Sequence, residues 1–219
     1  MPITLDTSAD WICWDNTETA RFESIRGASA MIETLAVAKR RNLTRRELAA
    51  SAGVYTGTDV VWLIPAATVA QDFAAKPGDL VVDADEVPWT VLEFGLNKAK
   101  QTWRLTTRSL AIANQLADTI TIEKAVTTYD DAGAPQRLTY QPLYADLACR
   151  VQPQAAEIVE ERGIRGQQTK YTIFLSRQVP QLDVRACRVL FGDKYLDLVT
   201  HQMAEQIAEL PRLEAILKV

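Results

Sequence analysis

From residue 118 onward the apolar and polar positions alternate in short runs with a period of two. In Asp118–Val126, Ile120, Ile122 and Val126 fall on one face and Thr119, Thr121 and Glu123 on the other, the pattern of a half-buried strand. Asp130, Asp131, Gly133 and Pro135 then supply a turn. A second strand, Asp146–Pro153, alternates Leu147, Cys149 and Val151 with Asp146, Ala148 and Arg150, and Pro153 is expected to end its ladder. The stretch Gln154–Lys170 is polar and contains Gly163 and Gly166, which predicts a long mobile loop. Strands are expected at Tyr171–Ser176, Val184–Phe191 and Lys194–Val199, the last two joined by the Gly192-Asp193 turn. Arg212–Val219 closes the series, with Leu213, Leu217 and Val219 on one face.

These pieces in this order resemble the head-tail joining (stopper or adaptor) proteins of long-tailed phages. The matching segments are Ile-Thr-Ile-Glu at 120–123, Thr-Tyr-Asp-Asp-Ala-Gly at 128–133, Leu-Ala-Cys-Arg-Val-Gln-Pro at 147–153, Tyr-Thr-Ile at 171–173, and Arg-Val-Leu-Phe-Gly-Asp-Lys-Tyr at 188–195. Members of that family are usually one small β-barrel and form rings in the virion neck. The resemblance therefore implies a homo-oligomeric ring with a portal or adaptor protein on one side and a tail protein on the other. It also implies a channel loop carrying Glu157, Glu160, Glu161, Arg162, Arg165 and Lys170, which would help seal or gate the DNA. The location implied is the virion neck, after assembly in the host cytoplasm.

The first half departs from a one-barrel pattern but repeats its order. Residues 10–16 read as an opening strand. Asp59–Pro65 answers the strand at Tyr171, Gly78–Asp83 answers Arg185–Leu190, Asp85–Phe94 answers Gly192–Val199, and Gln101–Arg108 answers the closing strand. Between the first two, from about residue 28 to 52, Met31, Ile32, Leu35 and Ala36 stand at helical spacing. An internal repeat changes the fold assignment more than any single motif. The expected fold is mainly β: two tandem small antiparallel β-barrels, 1–110 with a short helical insertion and 118–219, joined by a linker at 111–117 within a short helix over Ser109–Ala117. Two unrelated β units are the alternative.

Length and composition fit two modest cores, since 219 residues with 47% apolar content can bury that much. All five tryptophans, Trp11, Trp14, Trp62, Trp89 and Trp103, lie in the first half, so the two cores are composed differently. Charge is even: 12 basic and 14 acidic residues fall in 1–112, and the same counts in 113–219. Neither half is built to attract nucleic acid as a whole. No run of about 18 apolar residues and no signal-peptide pattern is present, so a soluble chain made in a cytosol, with no membrane contact, is expected. Cys13, Cys149 and Cys187 lack CxxC spacing and each sits on an alternating run, reading as small buried hydrophobes. His201, the sole histidine, follows a strand with no Cys or His at ligand spacing, so no metal and no cofactor is expected.

Leu43–Val54 resembles the first helix and turn of a helix-turn-helix, with Thr44 as cap, Glu47 completing a capping box and Gly53 at the turn. A recognition helix would have to follow, but residues 56–64 offer no Arg, Lys, Asn or Gln and end in a β-branched run before Pro65. They read as a strand, leaving a helix over Thr44–Ser51. Lys39, Arg40, Arg41, Arg45 and Arg46 have two readings: a solvated helix end, whose cations suit a carboxyl terminus, or a contact for a neighbouring subunit or for DNA in nonspecific fashion. No GxSxG, HExxH or phosphate loop is found, and the clusters Asp83, Asp85, Glu86 and Glu160, Glu161 fall at expected turns and loops. The reading is a non-enzymatic structural protein of a tailed-phage neck. A tail-tube or other β-rich phage component, which would polymerise beyond one ring, and a DNA-binding regulator are the alternatives.

Overall fold

The computed structural model describes residues 10–24, 32–129, 135–161, 164–180, 182–204 and 209–218. The chain divides into two compact units, Met1–Ala113 and Asn114–Val219, and each holds one closed antiparallel barrel. The first barrel comprises β1 (Glu18–Glu23), β2 (Ile32–Asn42), β3 (Val60–Pro65), β4 (Leu80–Val82), β5 (Pro88–Asn97) and β6 (Thr102–Arg108). The second comprises β7 (Asp118–Tyr129), β8 (Pro135–Glu161), β9 (Ile164–Leu175), β10 (Cys187–Phe191), β11 (Lys194–Gln202) and β12 (Arg212–Lys218).

The neighbour order is β1-β2-β3-β6-β5-β4 in one and β7-β8-β9-β12-β11-β10 in the other, each ring closing between its first and last strands. Adding six to every strand number converts one order into the other. The agreement extends to register. Phe22 pairs with Val81 as Ile122 pairs with Val189, and Trp62 pairs with Leu105 as Ile173 pairs with Leu213. All eight are buried. Even an irregularity recurs, because the pairing slips between Val91 and Glu93 in β5 and between the matching Leu198 and Thr200 in β11, one extra residue in each strand. Closure leaves no long open edge around either wall.

Alternation fills each barrel from its own strands. Phe22, Leu35, Trp62, Ile64 and Leu105 occupy the first interior, and Ile122, Ile173, Leu175, Leu196 and Leu213 the second. Burying one such side chain is worth about 1.5–3 kcal/mol. Inside the first barrel the Trp62 indole N–H donates to Thr107 at 3.1 Å, which satisfies a buried polar atom.

Several expectations need correction. Residues 10–16 are not a strand: Asp10–Cys13 forms a 3-10 turn, Ile12 and Cys13 are exposed, and β1 starts at Glu18. The helical insertion is largely β2. Of the residues at helical spacing, Leu35 is buried but Ile32 is 63% exposed and Ala36 is exposed; the buried pair is Leu35 and Ala38, set three apart by a slip in the pairing with β1, where Glu18 faces Ala38 and Ala20 faces Leu35. Among the described residues there only Arg45–Ala50, α1, is helical, capped by Thr44 with Glu47 bonding back to the Thr44 amide, as the capping box requires. The short bridging helix is present as α2, Leu110–Ala113. His201 lies within β11, not after it, and pairs with Leu213. The turn residues Asp130, Asp131 and Gly133, along with Met31, Arg162 and Gly163, lie outside the described residues.

Candidate functional site

The expected loop at 154–170 is the largest correction. β8 does not stop at Pro153 but runs on to Glu161, and β9 begins at Ile164. Pro153 is tolerated because it sits on an edge. Two residues earlier the Val151 amide points away from β9, donating to the Asp118 carboxylate at 2.8 Å, so the N–H that proline lacks at 153 is not one the ladder needs. Past a slip between Pro153 and Ala156, pairing continues from Ala156 with Thr169 to Glu161 with Ile164. β12 ends its pairing at Lys218 with Gln168, so the last pairs form a two-stranded ribbon beyond the third strand. Four residue steps at about 3.3 Å each carry it roughly 13 Å. A polar sequence can form such a ribbon because the two backbones satisfy each other's hydrogen bonds and no apolar face is demanded. Register sets Glu157 opposite Gln168 and Glu160 opposite Arg165. Lys170 lies lower in β9, half-buried and paired with Ile216.

The five cations of the first half do not form one patch. Lys39, Arg40 and Arg41 belong to strand β2, so no helix carboxyl terminus gathers them. The Arg40 guanidinium donates to Asp83 at 2.6 Å and pairs with Glu18 at 3.0 Å. It also lies over the Trp62 and Trp89 rings at 5.3 and 5.5 Å. Asp83, with its side chain 3% exposed, further accepts from the Trp89 indole and from the Asp85 and Val87 amides. Burial alone would raise the Asp83 carboxyl, but the bonds from Trp89, Val87 and Arg40 together hold it below its ordinary value. Glu18 is raised, burial outweighing Arg40. This ion pair is part of the wall of the barrel, not a free contact.

Arg41 forks onto Glu47 at 2.7 and 2.9 Å, and Arg104 of β6 reaches the same carboxylate at 3.1 Å. The Arg41 fork is the main reason the Glu47 carboxyl is held well below the usual carboxylate range. The network ties α1 to the barrel wall beside a cavity of about 380 Å³, lined by Glu47, Ser51, Tyr55, Glu93 and Arg104 among others. The Tyr55 hydroxyl donates to Glu93. Of the five, Arg45 and Arg46 are the exposed ones, on α1. After α1, residues 60–65 form β3, so the second helix of a helix-turn-helix is not there.

Two features escaped the sequence reading. Asp59 is fully buried and held by Arg108 through two bonds of 2.8 Å, and it also accepts from the Thr56 amide. On the outer face of the second barrel the Arg188 guanidinium lies 3.6 Å from the Tyr140 ring centre and 3.9 Å from that of Tyr195, while its Nε donates to Glu123 at 2.7 Å. The period-two pattern places each residue on the outer face, but only the barrel register brings β8, β10 and β11 close enough to assemble them. Cys149 and Cys187 are buried, and burial pushes the Cys149 thiol up to about 12.

No protein-family model matches the chain, and no curated protein does. Among solved structures, a chain from the virion of a native gene transfer agent particle is similar over 48% of this chain and 96% of its own, with 18% identity and a TM-score of 0.39.

Proposed function

We propose that this chain is a structural component of a tailed-phage-type virion that assembles as a homo-oligomeric ring at the neck, between portal or adaptor and tail. The observation that carries this reading is the β8–β9 ribbon, which occupies the segment that the family resemblance makes the channel element. A closed barrel supplies a rigid base, and a two-stranded extension from its wall can reach toward a central channel while its own backbone stays paired. In that role Glu157, Glu160, Glu161 and Arg165 are carried on the ribbon, with Lys170 at its base. Arg45 and Arg46 remain available for a neighbour or for nonspecific contact with packaged DNA.

The test is imaging of assembled particles for a ring of this chain at the head-tail junction. Replacing residues 158–167 with a two-residue Asn-Gly turn shortens the ribbon while keeping a hairpin connection. Particles carrying the shortened chain are expected to join tails but to leak DNA. Normal DNA retention would remove the sealing role, and repeated stacking of the chain along the tail would favour a tail-tube component instead.

A further inference from the structure

The two barrels expose different apolar surfaces, and a ring needs two different ones. In a closed ring of more than two copies each interface is heterologous, one face of a subunit meeting another face of the next. The first surface lies on the outer wall of the second barrel. Register aligns Tyr140 with Ala125 across β8 and β7, Glu123 with Arg188 across β7 and β10, and Leu190 with Tyr195 across β10 and β11. Tyr195 is 52% exposed and Leu138, on the same stripe, 58%. The stripe is rigid because Arg188 is clamped between the two tyrosine rings and bonded to Glu123. Tyrosine and arginine held in this way are the residues that dominate binding energy at protein interfaces. At the matching outward positions of the first barrel, Leu80 and Val82 are buried. This wall is therefore one that the fold covers in its other copy.

The second surface is the end of the β5–β6 hairpin. Beyond the slip in β5, Phe94 pairs with Leu105 and Leu96 with Trp103. Phe94 stacks at 6.5 Å on Trp103 yet remains exposed, as does Leu96. The turn beyond carries exposed Lys98 and Lys100, with the Asn97 side chain accepting from the Ala99 and Lys100 amides to fix its shape. Charge favours bringing the two surfaces together. The hairpin end offers two cations, Lys98 and Lys100, and the stripe carries the acids Glu123 and Asp197 beside Arg188. Opposite signs flanking apolar centres steer association and fix register.

We infer that the Tyr140–Arg188–Tyr195 wall of one copy receives the Phe94–Leu96 hairpin end of the next copy of this chain, an interface that rests on the ring reading above. Light scattering on the purified full chain tests it. Tyr195→Arg disables the wall and Leu96→Asp the hairpin end, and each alone is expected to raise the subunit dissociation constant by at least about thirtyfold. An equimolar mixture of the two is expected to give a heterodimer and nothing larger, since one intact wall and one intact hairpin end remain. Assembly of either variant like the unsubstituted chain, a mixture that stays monomeric, or an unsubstituted chain that is itself monomeric would overturn the inference.

If either variant loses its fold by circular dichroism, the exposed charges take its place. Asp197→Lys and Lys98→Glu are each expected to weaken assembly, and the two combined in one chain to restore it; failure of that rescue overturns the pairing. The neck assignment fails separately, if this chain assembles in solution as described but no ring of it is found at the head-tail junction.

Discussion

The two barrels share strand order, register and the position of a bulge, yet they fill one matching place in the wall with different chemistry. In the first, Arg40 lies opposite Trp62 and bonds to Asp83 and Glu18. In the second, Val151 lies opposite Ile173, and Phe191 stands where the first has Asp83. The position of Glu18 is taken by Asp118, which reaches the Val151 backbone amide instead of a guanidinium. The connection after the second strand differs as well: it carries α1, strapped to the wall by the Glu47 network, in one barrel, and lengthens into the ribbon in the other. The topology tolerates either an ion pair or apolar side chains at this place in the wall and either a docked helix or an extended arm, so divergence has gone to the wall and to one connection.

Substituting one barrel's residues into the other tests how independent these solutions are. The largest effect is expected for Arg40→Val, which leaves the Asp83 carboxylate buried without its cation and should cost about 3 kcal/mol. Urea unfolding followed by tryptophan emission reads the first barrel selectively, because all five tryptophans are there. Adding Asp83→Phe should recover part of the loss, since apolar replacement of a whole ion pair costs little. A double variant no more stable than the single would mean that the bonds from Asp83 to the Asp85 and Val87 amides matter more than the pair.

Next comes Thr107→Ala, which places the residue of Ala215 in the first barrel and strips the Trp62 indole of its acceptor. A loss of about 1–2 kcal/mol is expected in the same measurement. Combining it with Trp62→Phe, which removes the unsatisfied donor, should bring the additional cost of Thr107→Ala close to zero.

Acid should separate the barrels. His201 lies where the first barrel has Phe94, and burial holds its pKa below 6.5. The unfolded chain then takes up the proton first, so second-barrel stability falls as pH drops through 6.5 toward the folded value. In the first barrel Asp83 and Glu47 are depressed below ordinary values of 3.8 and 4.5. Their contribution is present above those values and is lost only at lower pH, offset in part by the raised Glu18. Amide exchange measured for each barrel between pH 7 and 5 should show the second opening more easily while the first holds, and His201→Phe should flatten that difference. The smallest effect concerns thiols: Cys13 should react with a disulfide reagent in the folded chain and Cys149 should not, being buried with its pKa near 12. Equal rates would show that the second barrel opens readily.

Most strands were legible because one face of each is buried, and burial leaves a period of two in the residues. β7, β10 and β11 could be read in this way, as could the Gly192-Asp193 turn. β2 could not, since its buried residues Leu35 and Ala38 stand three apart across the slipped pairing and break the period of two. The ribbon was missed for the opposite reason: beyond β12 no core demands an apolar face, so a stretch of Glu, Arg and Gly in sequence does not reveal that it is paired. The capping box of α1 was visible because its chemistry is local. The Arg40 contacts and the Arg188 clamp were not, as Arg40 reaches Glu18 and Asp83, and Arg188 reaches Glu123 and Tyr140, only through the barrel register.

The ion pair in the wall of the first barrel also bears on how the chain folds. Two halves with one topology and matching registers invite a strand from one to complete the other, a known failure of repeated domains. A β8 strand inserted in place of β2 would set Val151 against Asp83 and bury a carboxylate with no cation; the reverse exchange would drive Arg40 toward Phe191. The first hybrid buries a charge without a partner, which the correct pairing avoids, so the Arg40–Asp83 contact penalises that exchange.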